Sequence, residues 1–214
     1  MSDAGTADPG LRFPGDPPLV AILRGLAPQR AQRSAAALLD AGFRMLEVPL
    51  NRPGALQAIE ALAPMARDGV RIGAGTVLSP GDVDAVAAAG GTLIVSPHFD
   101  AEVVARARAL GLVAVPGVFT ATEAHAALRA GARALKIFPA DAMPPKALQA
   151  LATVLPPGTP LWPVGGIDAA SIASWRAHGA TGFGIGGALF KPEFDDAELG
   201  RRAREFVAAW RQSA

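Results

Sequence analysis

Residues 112–139 read LVAVPGVFTATEAHAALRAGARALKIFP. An apolar run, 112–117, leads into a segment where Ala121, Ala124 and Leu128 share one helical stripe. Gly131 ends that segment, and a second apolar run follows at 134–139. The spacing is that of an amphipathic helix, and a glycine at its end supplies the left-handed residue that commonly closes one. Apolar runs on either side of a helix read as strands buried on both faces, the mark of a parallel sheet.

The same rhythm extends both ways along the chain. Upstream lie LVAIL (19–23), FRMLEVPL (43–50), VRIGAG (70–75) and TLIVSP (92–97); downstream lie LWPVGG (161–166) and GFGIGG (182–187). Ala31, Ala35, Leu38 and Leu39 form a stripe before Gly42, and Val103, Ala107 and Leu110 one before Gly111. Leu199, Ala203, Phe206, Val207 and Trp210 form the last. Asp100 and Asp168 stand where helix N-caps belong, and Pro28 and Pro80 suit a first helical turn. Eight strand–helix units predict a single-domain α/β fold, a (β/α)8 barrel over 19–214. Each unit takes about 25 residues, which requires short loops. An open five- or six-stranded α/β sheet is the alternative. Residues 1–18, rich in Gly, Pro and Asp, read as a flexible lead-in.

Composition narrows the function. The chain has 214 residues, and 20 Lys and Arg against 19 Asp and Glu leave a net charge of +1. That balance argues against nucleic acid and anionic membrane as partners, while leaving room for a small anionic ligand. The chain has no cysteine. Disulfides, zinc–cysteine sites, iron–sulfur clusters and a cysteine nucleophile are thereby excluded. His98, His125 and His178 are far apart and form no paired metal-ligand motif, so no metal is expected. No secretory signal and no apolar run of about 18 residues is visible. The expectation is a soluble, cytoplasmic protein.

In a barrel of this kind the active site lies at the carboxyl ends of the strands. Only three lysines stand against 17 arginines, yet Lys136 lies inside the apolar run ALKIFP. Alternation sets Leu135 and Ile137 on the helix-facing side, so Lys136 points inward. An inward ammonium is costly unless paired or deprotonated, and a neutral amine attacks carbonyls. Glu47 in MLEVPL is inward by the same alternation, with Met45 and Pro49. Together the two residues read either as a buried salt bridge or as a proton carrier beside an amine nucleophile.

Gly165-Gly166 and Gly186-Gly187 end the last two runs, where barrel loops often hold phosphate through backbone N–H groups. Helix-packing glycines are the plain alternative. Arg24 ends the first run and suits a bidentate grip on a carboxylate; Thr76, after GAG, can add a hydroxyl. Either could instead be surface or packing. Pro97 and Phe138 could wall the mouth, with His98 on the rim. His125 and His178 are assigned no chemistry.

ILRG, LEVPLN, GAGTV, VSP, ALKIFP, PVGGI and GIGGALF, in that order, resemble the class I 2-keto-3-deoxy-6-phosphogluconate/6-phosphogalactonate aldolase family, over about Leu19 to Pro192. The resemblance implies a homotrimeric (β/α)8 lyase with no metal or organic cofactor. It would cleave a phosphorylated 2-keto-3-deoxy sugar acid to pyruvate and glyceraldehyde 3-phosphate. Lys136 then matches the Schiff-base lysine and Glu47 the proton-transferring glutamate. Arg24 and Thr76 match the carboxylate site, and Gly166 and Gly186 the phosphate loops. Gly187 departs from the pattern, since relatives often carry serine there. Val164, before the glycine pair, stands where gluconate-type relatives carry threonine, and Asn51 where they carry arginine. Both departures look like the galactonate branch, although Arg52 is adjacent. The readings weighed against this one are a gluconate or dual-epimer aldolase, a metal-dependent aldolase, a phosphosugar isomerase or epimerase, and a non-catalytic phosphosugar-binding barrel.

Overall fold

The stretch 112–139 folds as its pattern predicts, with one break at Pro116. A computed structural model describes residues 17–66 and 69–213. In chain order the elements are β1 (Leu19–Ile22), α1 (Ala31–Ala41), β2 (Met45–Pro49), α2 (Ala55–Leu62), β3 (Arg71–Gly75), α3 (Pro80–Ala88), β4 (Leu93–Val95) and α4 (Ala101–Ala109). These are followed by β5 (Val113–Val115), β6 (Gly117–Val118), α5 (Ala121–Ala130), β7 (Leu135–Ile137), α6 (Pro145–Ala152), β8 (Leu161–Pro163), α7 (Ile172–Ala177), β9 (Phe183–Ile185) and α8 (Asp196–Gln212).

The expected eight-stranded ladder is not continuous. The strands form two parallel sheets, one of six in the order β5-β4-β3-β2-β1-β9 and one of three in the order β6-β7-β8. Proline has no N–H to donate to a ladder, so Pro116 splits the fifth apolar run in two. β5 pairs with β4, and β6 pairs with β7. The break is local, since Lys136 N donates to the Pro116 carbonyl at 3.0 Å. At the other end a single bridge, Val164 with Gly184, joins the β8 strand end to β9. The architecture is a curled parallel sheet wrapped by helices.

Alternation along each strand divides the apolar residues between two cores. Leu19, Leu46, Ile72, Leu135 and Phe183 face the helices in one large cluster. Val20, Met45, Leu93, Val95, Val113, Val115, Ala134 and Trp162 form a second, separate cluster inside the curl. Met45 and Ala134 lie in that inner cluster, two residues before Glu47 and Lys136, so the inward assignment of both charges holds.

Several helix ends follow their sequence signals. Gly42 and Gly131 close α1 and α5 in the left-handed region. Asp100 caps α4, accepting from the N–H groups of Glu102 and Val103. Pro80 opens α3, and Pro28 opens a single 3-10 turn ahead of α1. Two expectations need correction. Asp168 does not cap α7, whose cap is Ser171; its carboxylate instead accepts from Ser171 N at 2.8 Å, one turn earlier. Leu110 is itself the cap of α4 and is exposed, with Gly111 left-handed just after it. The lead-in lies outside the described residues except Pro17 and Pro18, whose carbonyls accept from Leu19 and Phe183.

Candidate active site

The carboxyl ends of β1, β7, β8 and β9 open into a cleft of about 560 Å³. Its walls include seven residues singled out in the sequence: Arg24, Phe138, Val164, Gly165, Gly166, Gly186 and Gly187. Beneath it lies a chamber of about 10 Å³, walled among others by Glu47, Lys136, Val95 and Trp162. Ile22, Val164 and Gly184 line both spaces. Phe138 links them further, because its ring centre lies 4.6 Å from Lys136 Nζ.

Glu47 and Lys136 are the only charged residues buried in the described core, at 2% and 7% exposure. Burial disfavours the charged form of each. It pushes the Glu47 carboxyl above its ordinary range, partly offset by the positive charges of Lys136 and Arg24. It pulls the Lys136 amine below its ordinary range, opposed by Glu47 and reinforced by Arg24. Burial thus favours the neutral form of each group, and the attraction between them opposes it. Of the two readings left open, the salt bridge does not form: among the described residues no ion pair within 4.0 Å joins them. Glu47 Oε2 is buried without a hydrogen-bond partner. An unsatisfied buried carboxyl oxygen is costly to stability and is the kind of group kept for chemistry.

Backbone packing dictates where that carboxyl sits. A Cβ placed on Gly75 would lie 2.5 Å from Glu47 Oε1 and 2.8 Å from its Cδ. Glycine at the end of β3 thus leaves the space the carboxyl occupies. We expect Gly75→Ala to displace it and cut kcat by about 10²-fold, the cost of misplacing a reacting group by roughly 1 Å. Steady-state kinetics beside a melting curve would check this; unchanged turnover in a folded variant would show that Gly75 does not set the carboxyl.

Thr76 follows with φ +57°, a left-handed conformation that a β-branched residue rarely adopts. Such a conformation costs about 1–3 kcal/mol and tends to occur at functional sites. Thr76 is half-buried but does not line the cleft, and neither does Pro97. His98 and Arg52 are exposed and also outside its walls. His125 Nε2 meets the Val154 carbonyl and His178 Nδ1 the Ser174 carbonyl, both on the helical shell.

The two glycine pairs differ in kind. Gly165 and Gly166 have φ +111° and +65°, which strongly favours glycine whatever the ligand. Gly186 and Gly187 have no left-handed φ, and a Cβ on either would meet nothing within 4 Å. Neither backbone conformation nor packing demands glycine at 186 and 187. The open space above them is the cleft itself. The N–H groups of Gly166, Gly187 and Ala188 donate to no backbone carbonyl among the described residues. Sequence reasoning missed two charged residues of the cleft, Lys191 and Asp168. The Asp168 carboxylate is engaged by Ser171 N–H. Among the described residues no three His, Asp or Glu side chains are grouped to hold a metal ion, and no helix is long and apolar enough to cross a membrane.

Fold and cleft define the class: a parallel α/β protein whose cleft opens at the carboxyl ends of its strands, above a chamber lined by two buried charged residues. The family model for KDPG and KHG aldolases matches residues 16–199, and the chain belongs to that family. It is 43% identical over 196 residues to the 2-dehydro-3-deoxy-6-phosphogalactonate aldolase of Escherichia coli (strain K12), covering 92% of this chain and 96% of that protein. A 2-dehydro-3-deoxy-phosphogluconate aldolase of Treponema pallidum (strain Nichols) is 35% identical over 144 residues, covering 67% and 68%. Among solved structures, native KDPGal aligns with a TM-score of 0.90 at 43% identity, covering 93% of this chain and 97% of that one.

Proposed function

We propose that this protein is a class I aldolase that cleaves 2-dehydro-3-deoxy-6-phosphogalactonate to pyruvate and glyceraldehyde 3-phosphate. The observation that carries the chemistry is that buried Lys136 lines one small chamber with buried Glu47. The 43% identity to a galactonate aldolase over nearly the whole chain supports the substrate.

The reaction follows from those two groups. Neutral Lys136 adds to the C2 ketone, and the resulting carbinolamine loses water as Glu47 donates a proton, leaving an iminium and a carboxylate. That carboxylate takes the C4 hydroxyl proton. The C3–C4 bond breaks, its electron pair moves into the iminium to form an enamine, and glyceraldehyde 3-phosphate leaves. The enamine is protonated at C3, and water hydrolyses the iminium to pyruvate and free Lys136. Arg24 and Thr76 are proposed to hold the carboxylate, and the glycine pairs the phosphate. Fixing both ends places C2 over the amine, so remote binding energy lowers the barrier. A non-catalytic sugar-binding barrel would need neither buried charge.

With this reading we carry the finer expectations: closure of the two sheets into one eight-unit barrel, a homotrimer, a cytoplasmic location, and no cofactor. Closure is supported by chain continuity across Pro116 and by the Val164–Gly184 bridge.

Substrate choice rests on Val164. It is buried, lines both chamber and cleft, and offers no hydrogen bond to the C4 hydroxyl that distinguishes the two epimers. The galactonate epimer should be cleaved at least as well as the gluconate one. Val164→Thr should shift the ratio of kcat/KM toward the gluconate epimer by about 2–10-fold, the worth of one buried hydrogen bond. Kinetics on both epimers decide it: a strong gluconate preference in the unaltered protein would overturn the galactonate assignment.

A further inference from the structure

The phosphate end of the cleft holds a cation that the mechanism above does not use. Lys191 lines it together with Gly165, Gly166, Gly186 and Gly187. Its ammonium stands 5.6 Å from the Phe194 ring centre, and the residue is exposed at the cleft edge. A surface lysine is usually a solvated one, but the chain on which this one sits is held. Arg30 forks onto the loop just beyond it, donating to the Pro192 carbonyl at 2.8 Å, the Phe194 carbonyl at 2.6 Å and the Asp196 carboxylate at 3.0 Å. Phe194 N closes a turn back onto the Lys191 carbonyl at 3.0 Å. The backbone at the base of the stem is thus held, and the ammonium lies over the Phe194 ring at the cleft edge.

Charge also singles the residue out. Lys191 and Arg24 are the cations among the cleft walls, and Arg24 also stands close enough to bias both Glu47 and Lys136 electrostatically. Arg24 is the residue proposed above for the substrate carboxylate, which leaves Lys191 for the other end. Asp168, the carboxylate of the cleft, would repel a phosphate dianion and leaves a need for positive charge there. Gly187 brings no side chain, and the space above it is open. Backbone N–H groups carry only partial charge, so the glycine loops alone do not neutralise a dianion.

We propose that Lys191 is the specificity-determining cation for the substrate's terminal phosphate, held in register by Arg30 through the 192–195 loop and the first residue of α8. This rests on the aldolase reading above. The test compares two acceptors for the pyruvate enamine in the synthetic direction, glyceraldehyde 3-phosphate and unphosphorylated glyceraldehyde. Lys191→Gln should raise KM for the phosphorylated acceptor about 10-fold, as for a lost hydrogen bond to a charged group, and leave kcat/KM for glyceraldehyde within about twofold. Lys191→Arg should restore most of the loss, and added salt should narrow the gap between the unaltered protein and Lys191→Gln. Equal loss with both acceptors, or no loss with either, would overturn the proposal. Borohydride trapping of pyruvate by the same variants separates the two levels: normal trapping with an unchanged phosphate preference sinks the Lys191 role alone, whereas no trapping in the unaltered protein sinks the aldolase reading itself.

Discussion

Lys136→Met should fold, melt higher than the unaltered protein, and turn over no substrate. Methionine keeps an unbranched stem of similar length and removes the buried amine, together with its contact over the Phe138 ring. Loss of a covalent nucleophile acts on the order of 10⁶-fold in kcat, so no residual rate should be measurable. The stability gain has a definite pH dependence. Burial lowers the proton affinity of Lys136 in the folded state. Between that lowered value and the ordinary one of about 10.4, the folded chain binds fewer protons than the unfolded chain. Stability contributed at this site therefore rises with pH across the window, and the advantage of the methionine variant is largest at its acid end. Melting curves from neutral to alkaline pH check this; a variant that melts lower throughout would mean that the Lys136 ammonium, through its contact with the Phe138 ring and the field of Glu47, stabilises the core. Lys136→Arg should be equally inactive, because guanidinium does not lose its proton.

Glu47→Gln is expected to fold normally and lose about 10²–10⁴-fold in kcat, the range for removing acid–base catalysis. The amide keeps the shape that Gly75 leaves room for. It can neither protonate the departing water nor accept the C4 hydroxyl proton. Here the linkage runs the other way. The Glu47 carboxyl is raised by burial, so above the ordinary glutamate range the folded chain holds more protons than the unfolded one. The unaltered protein therefore loses stability at this site as pH rises, and the glutamine variant should gain on it over the same window. Single-turnover kinetics with matched melting curves would test both parts. Near-normal turnover would reduce Glu47 to an electrostatic neighbour of Lys136.

Strand period made the facing of the two buried charges readable. Met45 and Glu47, and likewise Ala134 and Lys136, share a face because side chains alternate in a strand. The separate inner cluster bears that out. Distances were not readable. Two inward charges suggested a salt bridge, yet none forms within 4.0 Å, because period fixes which way a side chain points and not how far across the curl it reaches. Pro116 was visible inside the fifth run, but the run was read as one strand; the missing N–H that divides it between two sheets follows from the residue itself. Asp168 looked like a helix cap because aspartate suits caps; its carboxylate does accept a backbone N–H, but in the turn just ahead of α7, whose first residue is Ile172. Lys191 escaped notice for a different reason. It follows the last apolar run, on a loop with no period, whose next residues are held by Arg30, far away in sequence. The rarity of lysine in this sequence was the signal that could have found it.

Central to this account is a covalent imine on one particular lysine. The direct measurement is borohydride reduction of the protein in the presence of pyruvate, followed by intact mass and peptide mapping. A single reduced pyruvyl adduct on Lys136, with Lys146 and Lys191 unlabelled, is the result expected from the buried amine. No adduct, or one placed on either of the other two lysines, would contradict it.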